Sequence, residues 1–128
     1  INYISKTRAG YESNVASMTI VSFFMNHYGV ILKQIKLVKL GLKYLRSRLN
    51  KDQIEFNGGL NGNYIYINLK SEKKTRSVIN YLRRKKIFVR GGWPNPFNKG
   101  FSVTGAEKKI MIKFYKSFSK ALQKFKND

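Results

Sequence analysis

Gly62-Asn63-Tyr64-Ile65-Tyr66-Ile67-Asn68-Leu69, then a basic segment, then Ile87-Phe88-Val89-Arg90-Gly91-Gly92-Trp93-Pro94, then Phe101-Ser102-Val103-Thr104-Gly105: this stretch decides the fold. The alternation of Tyr and Ile over 63–69 predicts a strand with two unlike faces. The segment after Ser71 predicts a helix with Val78, Ile79 and Leu82 turned inward. Its last turn, Arg83 to Lys86, is basic, which suits the negative end of a helix dipole. Ile87 to Arg90 reads as a second strand, Gly91 to Gly100 as a loop holding Pro94 and Pro96, and Phe101 to Thr104 as a third strand. Arg90 stands where a strand meets a loop. A charged residue there faces ligand or water, because strand ends border the open rim of a sheet.

Working outward, Ser13 or Asn14 can cap a helix by accepting from first-turn N–H groups. The run Val15 to Tyr28 is apolar on more than one face and predicts a helix packed on two sides, ended by Gly29. A second helix is expected from Val30 to Leu49, with Ile31, Ile35, Val38, Leu42, Leu45 and Leu49 in one stripe. Gly41 in its middle is a weak point or a close-packing site. Asn50 to Asp52 form a turn, Gln53 to Phe56 a short strand, and Asn57 to Gly62 a flexible loop. A final helix runs from Ala106 or Glu107 to about Phe125, with Met111, Phe114, Phe118, Leu122 and Phe125 as its buried stripe. The order predicts an α+β two-layer sandwich: a small, mainly antiparallel sheet with helices on one face, preceded by two helices.

A chain of 128 residues is one domain by length, spanning 1–128. Hydrophobic residues make up 42% and aromatics 14%, enough for a folded core despite a net charge of +20. No apolar run approaches the ~20 residues that span a bilayer, so no membrane partner is expected. With no cysteine, disulfides, thiolate metal sites and cysteine nucleophiles are excluded, as in a cytoplasmic protein. The chain begins at Ile1, and a segment upstream of it is expected. The 26 Lys and Arg against 6 acidic residues read either as a polyanion-binding surface or as a solvated lysine coat. Lys, Asn, Ile, Phe and Tyr are all abundant, as an AT-rich genome would produce, which favours the coat.

No enzyme motif stands complete. A phosphate-binding loop, Gly-x-Gly-x-x-Gly and Gly-x-Ser-x-Gly are all absent, and the acidic residues are scattered. His27, the sole histidine, reads as a helix-end residue. The cluster Lys73-Lys74-Thr75-Arg76 with Arg83-Arg84-Lys85-Lys86, beside Tyr64 and Tyr66, imitates an RNA-binding sheet. The Lys/Arg-Gly-Phe-Gly-Phe signature of such sheets is missing, and the tyrosines are expected to pack under a helix. Nucleic acid is therefore not the expected partner, and a small basic RNA-binding or ribosome-associated protein is the alternative reading. Arg90 offers a planar fork for carboxylate or phosphate. Trp93 reads as a loop anchor or a pocket wall.

Three places, in order, resemble the C-terminal small domain of fold-type I pyridoxal-phosphate-dependent aminotransferases, in the histidinol-phosphate aminotransferase branch. They are Lys6 to Asn14, the strand entry Gly62-Asn63-Tyr64-Ile65-Tyr66-Ile67, and Ile87-Phe88-Val89-Arg90-Gly91 followed after a loop by Phe101-Ser102-Val103-Thr104-Gly105-Ala106. The resemblance covers nearly all of the chain. It implies a parent enzyme that moves an amino group between an amino acid and a 2-oxo acid or aldehyde. It implies a large domain of the same parent chain that holds most of the pyridoxal phosphate site, and a homodimer. The Schiff-base lysine would lie upstream of the matched region, so this chain alone is expected to be inactive; Ser5-Lys6 is a decoy in the wrong context. Arg90 matches a position where relatives place an arginine for the substrate's anionic group. Ser102 falls where the family has its carboxylate-binding arginine, and Gly105-Ala106 replaces an aliphatic-Gly pair. These departures imply altered substrate choice.

Overall fold

A computed structural model describes residues 14–126. By internal contacts the chain divides into two compact units, residues 1–34 and 35–128. The family-like segment Lys6 to Ser13 lies outside the described residues.

In the first unit, helix α1 spans Val15–Asn26. Asn14 caps it: its side-chain oxygen accepts from the Ser17 N–H at 2.8 Å. The expected terminator, Gly29, does not end it. The chain leaves the helix at His27, whose N–H still bonds back to the carbonyls of Phe23 and Phe24, and α2 (Tyr28–Lys51) begins at the next residue. A Cβ on Gly29 would meet nothing within 4 Å, so no steric need for glycine exists there. None of the residues of α1 is buried, against the expectation of two-sided packing. No single helix among the described residues is long and apolar enough to cross a membrane, although α1 and α2 as a bent pair pass by length and composition.

The second unit holds the sheet. Strands β1 (Glu55–Gly58), β2 (Tyr64–Asn68) and β3 (Gly100–Thr104) run in the order β1-β2-β3, all antiparallel. Helix α3 (Glu72–Arg84) lies between β2 and β3 in sequence, and α4 (Lys108–Lys124) closes the chain. Ser71 caps α3 by accepting from the Lys74 N–H. The fold class is α+β, as the segment order predicts.

Burial explains the layers. Ile65 and Ile67 of β2 and Phe101 and Val103 of β3 are buried with Val78 and Leu82 of α3 and Met111, Phe114, Phe118 and Ala121 of α4. Phe118 stacks on Phe114 at 5.6 Å and meets the edge of Phe101 at 5.8 Å. From α2, Leu42, Leu45 and Leu49 complete the cluster, while Ile35 at the other end of the expected stripe is exposed.

Three further expectations change. The strand at Ile87–Arg90 shrinks to one paired residue, Arg90, opposite Ser102. The cause lies in how α3 ends. Lys86 adopts φ 57°, and the Ile87 N–H bonds back to the Leu82 carbonyl. That left-handed closure of the last turn consumes the start of the segment. Gln53, at φ 55°, ends α2 in the same way, with Ile54 N–H bonded to Leu49, so β1 starts at Glu55 rather than Gln53. Tyr64 and Tyr66 also do not pack under α3 or α4; they stand on the opposite face from Ile65 and Ile67.

Gly41 is a close-packing site. A Cβ there would sit 1.8 Å from the Ala106 carbonyl oxygen. Gly41→Ala is therefore expected to cost about 3 kcal/mol, the upper range for overpacking, as measured by urea denaturation. Tyr115 joins α4 to the end of α2 by donating its hydroxyl to Asp52. Burial, then this bond to the carboxylate, pushes its pKa from 10 up to about 12. Its stabilising contribution is full below pH 10 and is lost as pH rises through about 12. Denaturation midpoints followed across that window should fall more steeply in the native protein than in Tyr115→Phe.

Candidate functional site

The register sets the site. Asn57 opposes Tyr66, Tyr66 opposes Ser102, and Ser102 opposes Arg90. Directly opposed residues project to one face of a sheet, so these four form a row across the side opposite α3 and α4. The Arg90–Ser102 pair exchanges both backbone bonds: Arg90 N–H to Ser102 at 3.0 Å, and Ser102 N–H to Arg90 at 2.7 Å. The bridge holds the segment before the loop to the edge of β3.

The loop then folds over the row. Gly92 at φ 77° lets the chain reverse, and Trp93 returns beneath the Arg90 side chain. The guanidinium lies 4.5 Å from the indole ring centre, a cation–π contact. Farther along, the short 3-10 helix Phe97–Lys99 is tied down by the Tyr66 hydroxyl, which donates to the Phe97 carbonyl at 2.9 Å. The Tyr66 and Phe97 rings meet edge to face at 6.0 Å. Burial, then the charge of Glu55, raises the Tyr66 pKa above its ordinary 10, so the hydroxyl keeps its donated proton at neutral pH.

Tyr64, Tyr66, Arg90, Trp93, Phe97 and Ser102 thus border an open groove of about 840 Å3. Among the described residues Arg90 is the one charged side chain lining it, and no acidic residue lines it. No carboxylate pairs with Arg90 among the described residues. Trp93 Nε1–H is buried beside it without an acceptor. A planar fork with free edges, a hydroxyl and aromatic walls can seat an anionic group attached to an apolar body.

Of the residues singled out in the sequence, Arg90 and Ser102 come together and Trp93 proves to be a wall. His27 sits in the first unit at the end of α1, stacked on Phe23 at 4.2 Å with its Nδ1 2.9 Å from the Phe23 carbonyl. It is a helix-end residue. Among the described residues no group of three or more His, Asp or Glu side chains could hold a metal ion. Tyr64, Tyr66 and Phe97 were not expected in the site; the period-2 pattern of β2 carried the signal for the tyrosines, because the isoleucines claim the core. Phe97 carries no such signal, since only the loop path brings it there.

Comparison with protein-family models gave no match, and a search of curated proteins returned no relative. Fold and groove by themselves define an α+β domain with an arginine-centred groove on an open sheet face.

Trp93 is the only tryptophan of the chain. Its fluorescence therefore reports on this groove alone. Titration with 2-oxoglutarate or inorganic phosphate should change the emission saturably as the anion competes for the Arg90 guanidinium. In Arg90→Ala the same titration should leave the emission flat.

Proposed function

We propose that this chain is the C-terminal small domain of a pyridoxal-phosphate-dependent aminotransferase of fold type I, and that its open sheet face covers the substrate. One observation carries the reading. Arg90 and Ser102, the two positions that the family resemblance marks for anion contacts, are paired neighbours on one face and line one groove. Two anion positions from separate segments would not need to meet in a domain with another role.

The groove does not by itself fit the cofactor. Among the described residues no lysine lines it, so none of them offers an amine to bond an aldehyde, and its polar groups suit only one anion. Pyridoxal phosphate would be held by residues outside this chain, in the large domain of the parent enzyme. What the described residues do is bind and orient. Arg90 holds an anionic group of the amino-acid or oxo-acid substrate with its outer N–H edge. Trp93 contacts the guanidinium through its ring. The aromatic walls displace water, which strengthens the charged contact. Ser102 leaves room and one hydroxyl where a second guanidinium would otherwise stand, so the preferred substrate differs from a plain α-amino acid held by two arginines.

A second reading has a specific observation behind it. Tyr64 and Tyr66 lie on the open face of the central strand, with Tyr64 54% exposed, where bases stack in RNA-binding sheets. With a net charge of +20, the chain would then be a small basic RNA-binding or ribosome-associated protein.

The protein purified at its cellular length separates the two. The aminotransferase reading expects bound pyridoxal phosphate by visible absorbance and amino transfer to a 2-oxo acid. Arg90→Ala should raise KM for the anionic substrate by about tenfold to a hundredfold with cofactor content unchanged, since charged hydrogen bonds are worth about 1.5–3 kcal/mol. Ser102→Arg should improve turnover of ordinary α-amino acids. Absence of cofactor and transfer, together with salt-sensitive RNA binding lost in Tyr64→Ala, would overturn the reading in favour of the second.

A further inference from the structure

The basic cluster of α3 plays no part in the substrate groove. Arg76, Asn80 and Arg83 recur at spacings of four and three, so they share one face of the helix. That face and the segment around Phe88 enclose a second groove of about 720 Å3, bordered by Arg76, Asn80, Arg83, Phe88 and Arg90. Its charge is one-sided: among the described residues three guanidiniums line it and no carboxylate does. Glu72 pairs with Arg76 from one turn away, which leaves Arg83 and Arg90 without a carboxylate among the described residues.

Phe88 is the second observation. Its ring is 79% exposed, between Ile87 and Val89, which are both partly buried against the core. Packing therefore turns its neighbours inward and leaves the aromatic face in the groove, beside the guanidiniums. Phosphate oxygens suit arginine forks, and a flat ring suits a base. The volume is that of a small-molecule site rather than of a channel tracking several nucleotides.

We propose that this groove binds a mononucleotide, with its phosphates on Arg83 and on the Arg76 nitrogens that Glu72 does not engage, and its base on the Phe88 ring. Asn80 supplies both a donor and an acceptor on the same face. The proposal stands apart from the substrate groove, since Arg76, Arg83 and Phe88 do not line that groove.

Calorimetric titration of the purified protein with ATP, inorganic tripolyphosphate and a short single-stranded RNA tests it. ATP should bind, and more tightly than tripolyphosphate. The double variant Arg76→Ala/Arg83→Ala should weaken ATP by about tenfold per arginine. Phe88→Ala should erase the advantage of ATP over tripolyphosphate while leaving tripolyphosphate binding in place. Arg84→Ala/Lys85→Ala removes equal charge outside the groove and should cost about threefold or less. The proposal is overturned by any of three results. ATP fails to bind or binds no better than tripolyphosphate; the Arg84/Lys85 variant costs as much as the Arg76/Arg83 variant; or RNA binds where ATP does not. All the substituted side chains are exposed, and Phe88→Ala alone keeps the test decisive if a double variant folds poorly.

Discussion

Strand β2 is hydrogen-bonded along both edges, so its side-chain alternation decides which face every neighbouring strand presents. Burying Ile65 and Ile67 against α3 and α4 forces Tyr64, Tyr66 and Asn68 to the other side. The antiparallel register then carries that choice outward, to Ser102 and Thr104 on β3 and to Arg90 beyond it. A slip of one residue would bury tyrosine hydroxyls and expose isoleucines. The groove is thus a consequence of core packing: it collects the residues that the core does not take.

Close approach is the second constraint. At Gly41 the helix backbone lies against the Ala106 carbonyl, and at Gly100 a Cβ would sit 2.4 Å from the Ile67 carbonyl oxygen. These contacts bring α2 and β3 to the distances at which Leu42, Leu45, Phe101 and Phe118 interlock. They also keep Gly100 flush with the sheet, so the 3-10 helix before it can reach the Tyr66 hydroxyl. Packing on one side of the sheet and groove geometry on the other are therefore coupled through the same short strand.

Arg90 stands at the junction of two grooves, one with aromatic walls and one with further arginines. Its contact with Trp93 favours the first, because the indole lines that groove and not the other. The division of labour proposed for the two grooves follows from that asymmetry. Among the described residues the sheet-face groove has a single charge and an apolar body; the α3 groove has excess charge and one exposed ring.

Much of the fold was legible in the residues. Apolar stripes at 3.6-residue spacing announced α2 and α4, inward-turned Val78, Ile79 and Leu82 announced α3, Ser13 or Asn14 and Ser71 announced helix starts, and the Tyr/Ile alternation announced β2. Two of the boundaries that moved did so at Gln53 and Lys86, ordinary residues in left-handed conformations that carry no glycine signal, and another moved to His27, ahead of the expected Gly29. Within the candidate site, Arg90 and Ser102 could be named singly from sequence. Their adjacency could not, because an antiparallel pairing between distant segments depends on how the intervening loop closes. The sequence by itself determined an α+β chain with a two-faced central strand and a basic third helix. Only the tertiary structure decided which face stays open, and that Trp93 and Phe97 fold back to wall it. The reason is that side-chain periodicity is local, whereas the competition for a single buried core is settled by all the elements at once.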